Sequence, residues 1–592
     1  MRYLFSRVLP ASALLFCCLL LSFSLPAQDA TTRWSLWFGS HYTGLEDYTL
    51  RVAEFDRGED GFMPEFRLNW QRLQGQNRLN VAGHFYDPKR MSLKLGGDFG
   101  GLFNGSVAYN SFYRRNQIDL MRNLVAREAG DNQGLTPGGK MLTSELLFDA
   151  DNSDLGYRRQ EITTDLALKI PGMKNIKLLA SHRSIIEKGQ DQQTQIMHCA
   201  TCHLQSRKID LERQSHTVAG GLEAELGKLV LSYQAQYRQF KSDVGTYEAF
   251  YDSAQHPVNG SSDDEFASRN IFSGEYVPLN LYPETQKLSH TLKARAKISE
   301  GTLLGQFVSY TAENTNNLND PNVTVSGDRK ISGTYGNVKF AYPFFPKTKL
   351  IASGYYGRYE NDAVDVDLPA WRNGRPAGDI DFDYTRYSSY TRTETRGDLE
   401  FLYQPTRRYR LSLLGRYSSK ERDDYPFFDA KDKTNTLRLQ GDVKYRPTSK
   451  FNGHLRYYFE NIDNPFAPYN QMFERYGRSG PDSLTPVPGT PAVYYYQRDD
   501  IRYGDITSLP SAVNGGTLEL TFRPNTKVNL TAGVSGQIGT NSDAPELDYK
   551  RTRYQPRLAL NLMPSDRLSI FSSYSYLFQT QNGIAAFAMM DG

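Results

Sequence analysis

Residues 288–298 of this chain read Leu-Ser-His-Thr-Leu-Lys-Ala-Arg-Ala-Lys-Ile. Apolar side chains occupy every second position, with His290 the exception near the start, and Lys293, Arg295 and Lys297 lie between them. Successive side chains of a β-strand point to opposite faces, so one face of this strand is apolar and the other basic. A lysine or arginine facing mid-bilayer hydrocarbon costs about 2–4 kcal/mol. The pattern therefore predicts a transmembrane strand between lipid and a wet, basic lumen.

The same alternation recurs along the chain in segments of about ten residues, as in 229–238, 409–418 and 437–445. Mean hydropathy is only −0.58, although the chain contains 39 Tyr and 32 Phe. A soluble β-sandwich also alternates, but it would not need this many strands in one run. We predict an all-β fold, a large antiparallel transmembrane β-barrel of roughly 22–26 strands. The side chains expected to face its lumen include Lys293, Arg295, Lys297, Arg410, Arg416, Arg438, Lys444 and Arg456.

A short turn that begins with proline recurs along the chain, and it predicts the orientation of the barrel. Proline presets a turn dihedral, and small polar residues satisfy turn backbone groups. Much longer polar excursions separate these turns, at 241–282, 359–390 and 461–515. Outer-membrane barrels have short periplasmic turns and long external loops, so the proline turns are predicted to be periplasmic. They are 346–349, 405–408, 447–450, 524–527 and 564–567.

The N-terminus predicts export. Arg2 and Arg7 precede the apolar stretch 8–25, and Ala27 ends it with a small residue, so residues 1–27 read as a cleaved signal peptide. Residues 28–592 are then the barrel, in the bacterial outer membrane and in contact with its lipid. The strand predicted at 568–578 runs outward without a returning strand after it, so we expect the final strand to be missing.

The mature chain has two cysteines, in the run His198-Cys199-Ala200-Thr201-Cys202-His203. C-x-x-C-H is the attachment signature of haem c, so Cys199 and Cys202 are candidate thioether residues and His203 the candidate proximal iron ligand. A disulfide or free dithiol, and a zinc site, are the alternatives. The distal ligand is open, with His182, His216 and Met197 as candidates. Counting back along the chain from the predicted periplasmic turns, one strand at a time, places the segment 187–211 in an outward loop.

Enzyme and nucleic-acid functions have no support in the sequence. It contains no G-x-S-x-G, H-E-x-x-H, phosphate-loop or dinucleotide motif. The net charge is +3, without a concentrated basic block. We predict neither catalysis nor nucleic-acid binding.

The order of these features resembles the MtrB/PioB family of decahaem-associated outer-membrane barrels. The resemblance lies in strands such as 83–87 (Gly-His-Phe-Tyr-Asp) and 95–100 (Leu-Gly-Gly-Asp-Phe-Gly), and in the Tyr-x-Pro-Thr turns 403–406 and 445–448. It implies a barrel that sheathes a periplasmic multihaem c-type cytochrome inserted in its lumen. It also implies electron exchange with an outer-surface multihaem cytochrome. A haem at Cys199, Cys202 and His203 would be this chain's own addition.

Two other functions fit the same residues. The chain could be a diffusion porin with a polar, basic lumen, in which the C-x-x-C pair only staples a loop. It could also be an outer-membrane receptor or adhesin that uses the long loops.

Overall fold

The computed structural model describes the chain in separate ranges, all of them built from strands and turns. The longer ranges are 30–43, 61–116, 155–196, 203–244, 282–315, 329–362, 391–422, 433–465, 509–542, 548–565 and 568–582, with short strands in the connections between them. The predicted signal peptide, residues 1–27, lies outside the described residues. Among the residues described, no helix is long and apolar enough to span a bilayer.

The strands vary from two to 24 residues. In chain order they are β1 Ala30–Thr43, β2 Gly61–Gln74, β3 Asn77–Asp87, β4 Arg90–Phe99, β5 Phe103–Arg115, β6 Val125–Ala126, β7 Met141–Leu142, β8 Gly156–Ile170, β9 Met173–Ile196, β10 His203–Leu226, β11 Leu229–Ser242, β12 Tyr247–Tyr251, β13 Glu275–Leu279, β14 Thr285–Ile298, β15 Gly301–Asn314, β16 Thr324–Ser326, β17 Lys330–Phe345, β18 Thr348–Asn361, β19 Val364–Asp367, β20 Trp371–Arg372, β21 Asp379–Ile380, β22 Tyr384–Arg386, β23 Arg392–Thr406, β24 Tyr409–Arg422, β25 Lys433–Tyr445, β26 Phe451–Asp463, β27 Leu484–Pro486, β28 Val493–Tyr496, β29 Ala512–Asn525, β30 Val528–Thr540, β31 Lys550–Ser565, β32 Leu568–Ser575, β33 Phe578–Asn582 and β34 Ala585–Ala588.

The long strands form one antiparallel meander. Each pairs with the next long strand along the chain, from β1 to β31, and β32 and β33 both pair with β31. The two-residue strands β6 and β7 join this sheet in parallel at β10. The sheet contains 24 strands, which confirms the predicted all-β fold and its size range.

The connections divide by length between the two ends of the sheet. At one end, turns of two to five residues join the strands, including all five predicted proline turns. At the other end lie the long connections, such as those between β11 and β14 and between β26 and β29, together with one short turn between β3 and β4. By the rule for outer-membrane barrels, the first end is periplasmic and the second is external. The predicted division, with the proline turns at one end and the long connections at the other, is confirmed; which end is periplasmic stays a prediction.

Four of the proline turns share one local feature: the register of the strand pair shifts just before the turn. Pro405 lies between the paired positions Tyr403 and Thr406, and Pro343, Pro524 and Pro564 lie in equivalent breaks. Proline has no backbone N–H to give to the ladder, so within a sheet it is restricted to bulges, edges and strand ends. The turn repeat is thus a repeat of bulges that end the strand pairs.

One face of the sheet is an apolar surface exposed along its length. In β14 the exposed fractions are 47% for Leu288 and 45% for Leu292, and in later strands they reach 56% for Leu399 and 65% for Leu413. In the described part of the chain, only nine hydrophobic residues are buried. A soluble protein rarely exposes a contiguous apolar surface of this extent. The exposed face is therefore the lipid-facing wall of an outer-membrane β-barrel.

Tyrosines mark both edges of this apolar wall. Tyr409 and Tyr445 stack at the periplasmic end with ring centroids 4.5 Å apart. Toward the external end, the Tyr417 hydroxyl donates to Asn435 Oδ1 at 3.1 Å. Eight residues of tilted strand separate Tyr409 from Tyr417, a height of about 20 Å, close to the apolar band of such barrels. These tyrosines lie where outer-membrane barrels have their interfacial aromatic girdles.

The two outermost strands of the described meander run in the same direction. Both β1 and the β32–β33 position run from the periplasmic end to the external end, and each has one hydrogen-bonded neighbour among the described strands. That a further strand closes the barrel stays a prediction.

The two faces can be tested at adjacent residues of β24. Leu413 faces lipid near mid-height, whereas Ser412 faces the lumen and donates a 2.7 Å hydrogen bond to Glu400 Oε1. We expect Leu413→Arg to lower the free energy of unfolding by about 2–4 kcal/mol. Ser412→Arg should change it by less than about 1 kcal/mol, because the guanidinium can pair with Glu400. Urea unfolding in lipid vesicles measures both; equal losses would contradict the assignment of faces.

Candidate functional site

The candidate site is the inner face of the barrel. The register places all eight predicted basic side chains on that face, because each alternates with exposed apolar neighbours. What surrounds these cations differs between two parts of the wall.

From β23 to β26, each inward carboxylate named here is matched to cations on neighbouring strands. Asp398 accepts a 2.6 Å hydrogen bond from Arg416 Nε, and Glu460 accepts one of 2.8 Å from Arg438 Nη1. Asp442 lies 2.8 Å from Arg456 Nε and 2.9 Å from His454 Nε2. These arginines are therefore held by the barrel's own carboxylates.

The inner face of β8 to β10 is similar. Glu161 lies 2.6 Å from Arg183 Nε, and Glu187 lies 2.7 Å from Arg159 Nη1 and 3.0 Å from Arg213 Nη2. Charge-assisted hydrogen bonds of this length tie neighbouring strands together across the lumen surface.

The inner face of β11, β14, β15, β17 and β18 contains no carboxylate in the described strands. Glu313 and Glu360 lie on these strands, but on the opposite face. We give the name cationic arc to six cations on this part of the wall, and none of them has a carboxylate partner in the described structure. They are Arg238, Lys287, Lys293, Arg295, Lys297 and Lys339.

The cationic arc contains a like-charge pair that no carboxylate of the described strands neutralises. Arg238 and Lys287 occupy directly opposite positions on β11 and β14. Like charges opposite each other destabilise a sheet. Arg416 and Arg438 are also opposite each other, but each has its own carboxylate. The arc therefore carries an electrostatic cost that other parts of the wall relieve internally.

Tyrosines lie flat between these cations. Lys287 Nζ is 3.9 Å from the centroid of the Tyr310 ring. A Cβ added at Gly333 would be 2.6 Å from that ring, so glycine is required for the tyrosine to lie against the wall. Tyr335 is stacked beside Tyr359, with centroids 6.3 Å apart. The cationic arc therefore presents aromatic rings as well as positive charges to the lumen.

The C-x-x-C-H run falls between β9 and β10 in the chain, the two longest of the described strands. Cys199 and Cys202 lie outside the described residues, and His203 is the first residue of β10, with its backbone opposite Met141. The segment 187–211 is external, as predicted, but most of it is strand rather than loop: β9 and β10 pair up to Ile196 and Leu204. The hairpin rises about 20 Å above Gln190, the last residue paired to β8.

Two of the candidate distal haem ligands are wrong. His182 and His216 stack on each other on the lipid-side face of β9 and β10, with ring centroids 6.1 Å apart. Thirteen residues of continuous strand separate His216 from His203, a distance of about 40 Å. Neither imidazole can reach an iron held at His203. In the described part of the chain, no group of three or more His, Cys, Asp or Glu residues is placed to hold a metal ion.

The lumen arginines face inward as predicted, but their partners were not predicted. The structure pairs Arg416, Arg438 and Arg456 with Asp398, Glu460 and Asp442. These three carboxylates could have been identified from the alternation along their strands, because all of them fall on inward positions.

The two-faced meander and its charged inner wall define an outer-membrane β-barrel protein. No family model and no curated protein matches the chain. Among solved structures, it is similar to a mutant of the ferric enterobactin receptor PfeA of Pseudomonas aeruginosa, with 10% identity, a TM-score of 0.46 and coverage of 90% of this chain and 77% of that one. It is also similar to the FrpB iron transporter of Neisseria meningitidis, with 11% identity, a TM-score of 0.41 and coverage of 86% and 68%. At these values the likeness says nothing about what this chain binds.

The matched charges of β23 and β24 predict a stability effect. Asp398→Asn removes the carboxylate between Arg396 and Arg416 and leaves Arg416 facing Arg438. We expect a loss of about 1–3 kcal/mol in the free energy of unfolding. The double variant Asp398→Asn with Arg416→Gln should recover most of it. Urea unfolding at low and high salt checks this, and a double variant no more stable than the single one would contradict it.

Proposed function

We propose that this barrel encloses an acidic multihaem c-type cytochrome that enters from the periplasm, and so supports electron transfer across the outer membrane. An outer-surface multihaem cytochrome is the proposed partner at the external end. The barrel itself contributes a closed polar passage, because hydrocarbon would reject the charged surface of such a protein.

The observation that carries this proposal is the cationic arc. Lys293, Arg295 and Lys297 are exposed to the lumen at successive inward positions. No inward carboxylate of the described strands β11, β14, β15, β17 and β18 offsets them. Haem propionates and acidic protein surface are suitable counter-charges, and they would form charge-assisted hydrogen bonds with these ammonium and guanidinium groups.

The width of the barrel also favours a protein in the lumen. Closed on itself, a sheet of 21 long strand positions, with β32 and β33 sharing one, spaced about 4.8 Å and tilted about 40°, has a diameter of about 40 Å. Barrels of about 22 strands hold a plug, whereas narrower ones can serve as open channels. An occupied lumen would keep so wide a barrel from leaking.

Cys199, Cys202 and His203 remain candidates for one covalent haem c of the barrel's own. Their hairpin stands at the external end, where Ile209 and Leu211 on its inner face are buried, as is Leu155 before β8. Such a haem would lie between the enclosed cytochrome and the outer surface. A C-x-x-C disulfide that staples the hairpin is the competing chemistry.

The second candidate is an anion-selective diffusion porin. The same cationic arc favours it, because basic walls select anions. A porin needs no haem partner and conducts ions when purified. The cytochrome sheath would lose its conductance when its partner is present.

Affinity purification tests the main proposal. The tagged chain, extracted from its native membrane in mild detergent, is expected to retain a haem-staining partner. Lys293→Glu with Arg295→Glu and Lys339→Glu should reduce that partner at least about tenfold, because three attractive contacts become repulsive. The control Arg438→Gln with Glu460→Gln removes an internal ion pair at constant net charge and should retain the partner. A haem-free preparation with steady ion conductance would instead support the porin.

A haem stain of the denatured polypeptide tests the attachment residues. The parent chain should stain at its own mass, and Cys199→Ala and Cys202→Ala should each reduce the stain. His203→Ala should keep the thioethers but alter the absorption spectrum, because it removes the proximal ligand. An unstained parent chain would exclude covalent haem.

A further inference from the structure

One sector of the periplasmic end of the barrel carries a row of cations. Four turns in the second half of the chain, at 346–349, 405–410, 444–450 and 523–527, contain no carboxylate. We call their exposed cations the basic rim. They are Lys347, Lys349, Arg407, Arg408, Arg446, Lys450, Arg523 and Lys527.

The turns of the basic rim are fixed relative to one another. Gln404 N donates to Lys347 O at 2.8 Å, and Arg446 N donates to Arg408 O at 2.8 Å. Arg523 N donates to Lys450 O at 2.6 Å. Each turn is therefore hydrogen-bonded to its neighbour, so the basic rim is an ordered surface.

The basic rim continues into the lumen. Arg410 and Lys444 lie opposite each other, one step above the turns, and alternate with the lipid-side residues Tyr409 and Tyr445. They point into the mouth of the barrel, where they form a second like-charge pair that has no carboxylate partner among the residues the structure describes. Lys297 of the cationic arc lies at the same end of the inner wall, at the periplasmic end of β14, five strands from β24.

We propose that the basic rim and the periplasmic mouth form a docking surface for an acidic protein surface that approaches from the periplasm. This inference rests on the proposed function and gives the barrel a polarity: the partner enters at the rim and is held along the cationic arc. Anionic phospholipid is the other anion within reach of the turns. It cannot contact Arg410 and Lys444, which face the lumen, so one protein partner accounts for both groups of cations.

Binding of fluorescent poly-L-glutamate to the purified full chain in phosphatidylcholine nanodiscs tests the surface. The rim variant Arg407→Glu, Arg408→Glu and Lys450→Glu should bind about tenfold more weakly at low salt, because it reverses three exposed charges. The control Lys188→Glu, Arg358→Glu and Lys433→Glu makes the same net change at the external end and should bind within twofold of the parent. Equal affinities for the two variants would overturn the proposal.

Two further measurements separate this inference from its alternatives. If the rim variant releases bound phosphatidylglycerol but binds poly-L-glutamate normally, the rim is a lipid site and the proposal is wrong. If the rim variant retains the haem partner as fully as the parent chain does, the partner does not dock at the rim, although the proposed function stands. If poly-L-glutamate binding depends on the rim but no haem partner is found, the docking surface stands and the cytochrome proposal fails.

Discussion

The structure depends on one constraint: every backbone N–H and C=O within hydrocarbon must find a partner in the protein. The antiparallel meander from β1 to β33 meets this constraint along nearly its whole length, with each long strand bonded to its neighbours. The side chains then determine only which environment, lipid or water, each face of the sheet contacts. This is why the chain has few buried hydrophobic residues in its described part and a leucine-rich surface outside.

The elements that could be predicted from sequence are those with a local cause. Alternation at 288–298 or 437–445 identifies a strand and both of its faces, because lipid on one side and water on the other impose the period of two. Proline turns could be located because proline cannot join the ladder. The upper part of β9 and β10 could not be recognised as strand, because it extends beyond the lipid and residues 187–196 show no alternation. Pairing with the partner strand alone extends the hairpin.

For the candidate site, the sequence predicts on which face of its strand a charged residue lies, but not which residues it contacts. That Arg416 points inward follows from its neighbours in sequence, but that it bonds Asp398 follows from the register of β23 against β24. The absence of inward carboxylates from the described strands between β11 and β18 could have been read from the sequence once faces were assigned. Which of these cations oppose each other, as Arg238 and Lys287 do, required the register of the strands.

The distance over which the lumen charges act distinguishes between the two candidate functions. At physiological salt, the field of an exposed charge fades over about 8 Å. A lumen about 30 Å wide, after side chains line a barrel of about 40 Å, leaves its centre beyond that range. Small anions crossing the middle would scarcely sense Lys293 or Lys339, whereas a protein that fills the lumen must lie against them. An occupant that touches the wall would offset the cost of keeping Arg238 opposite Lys287. A basic wall of this kind fits a passage with a macromolecular occupant better than an open pore.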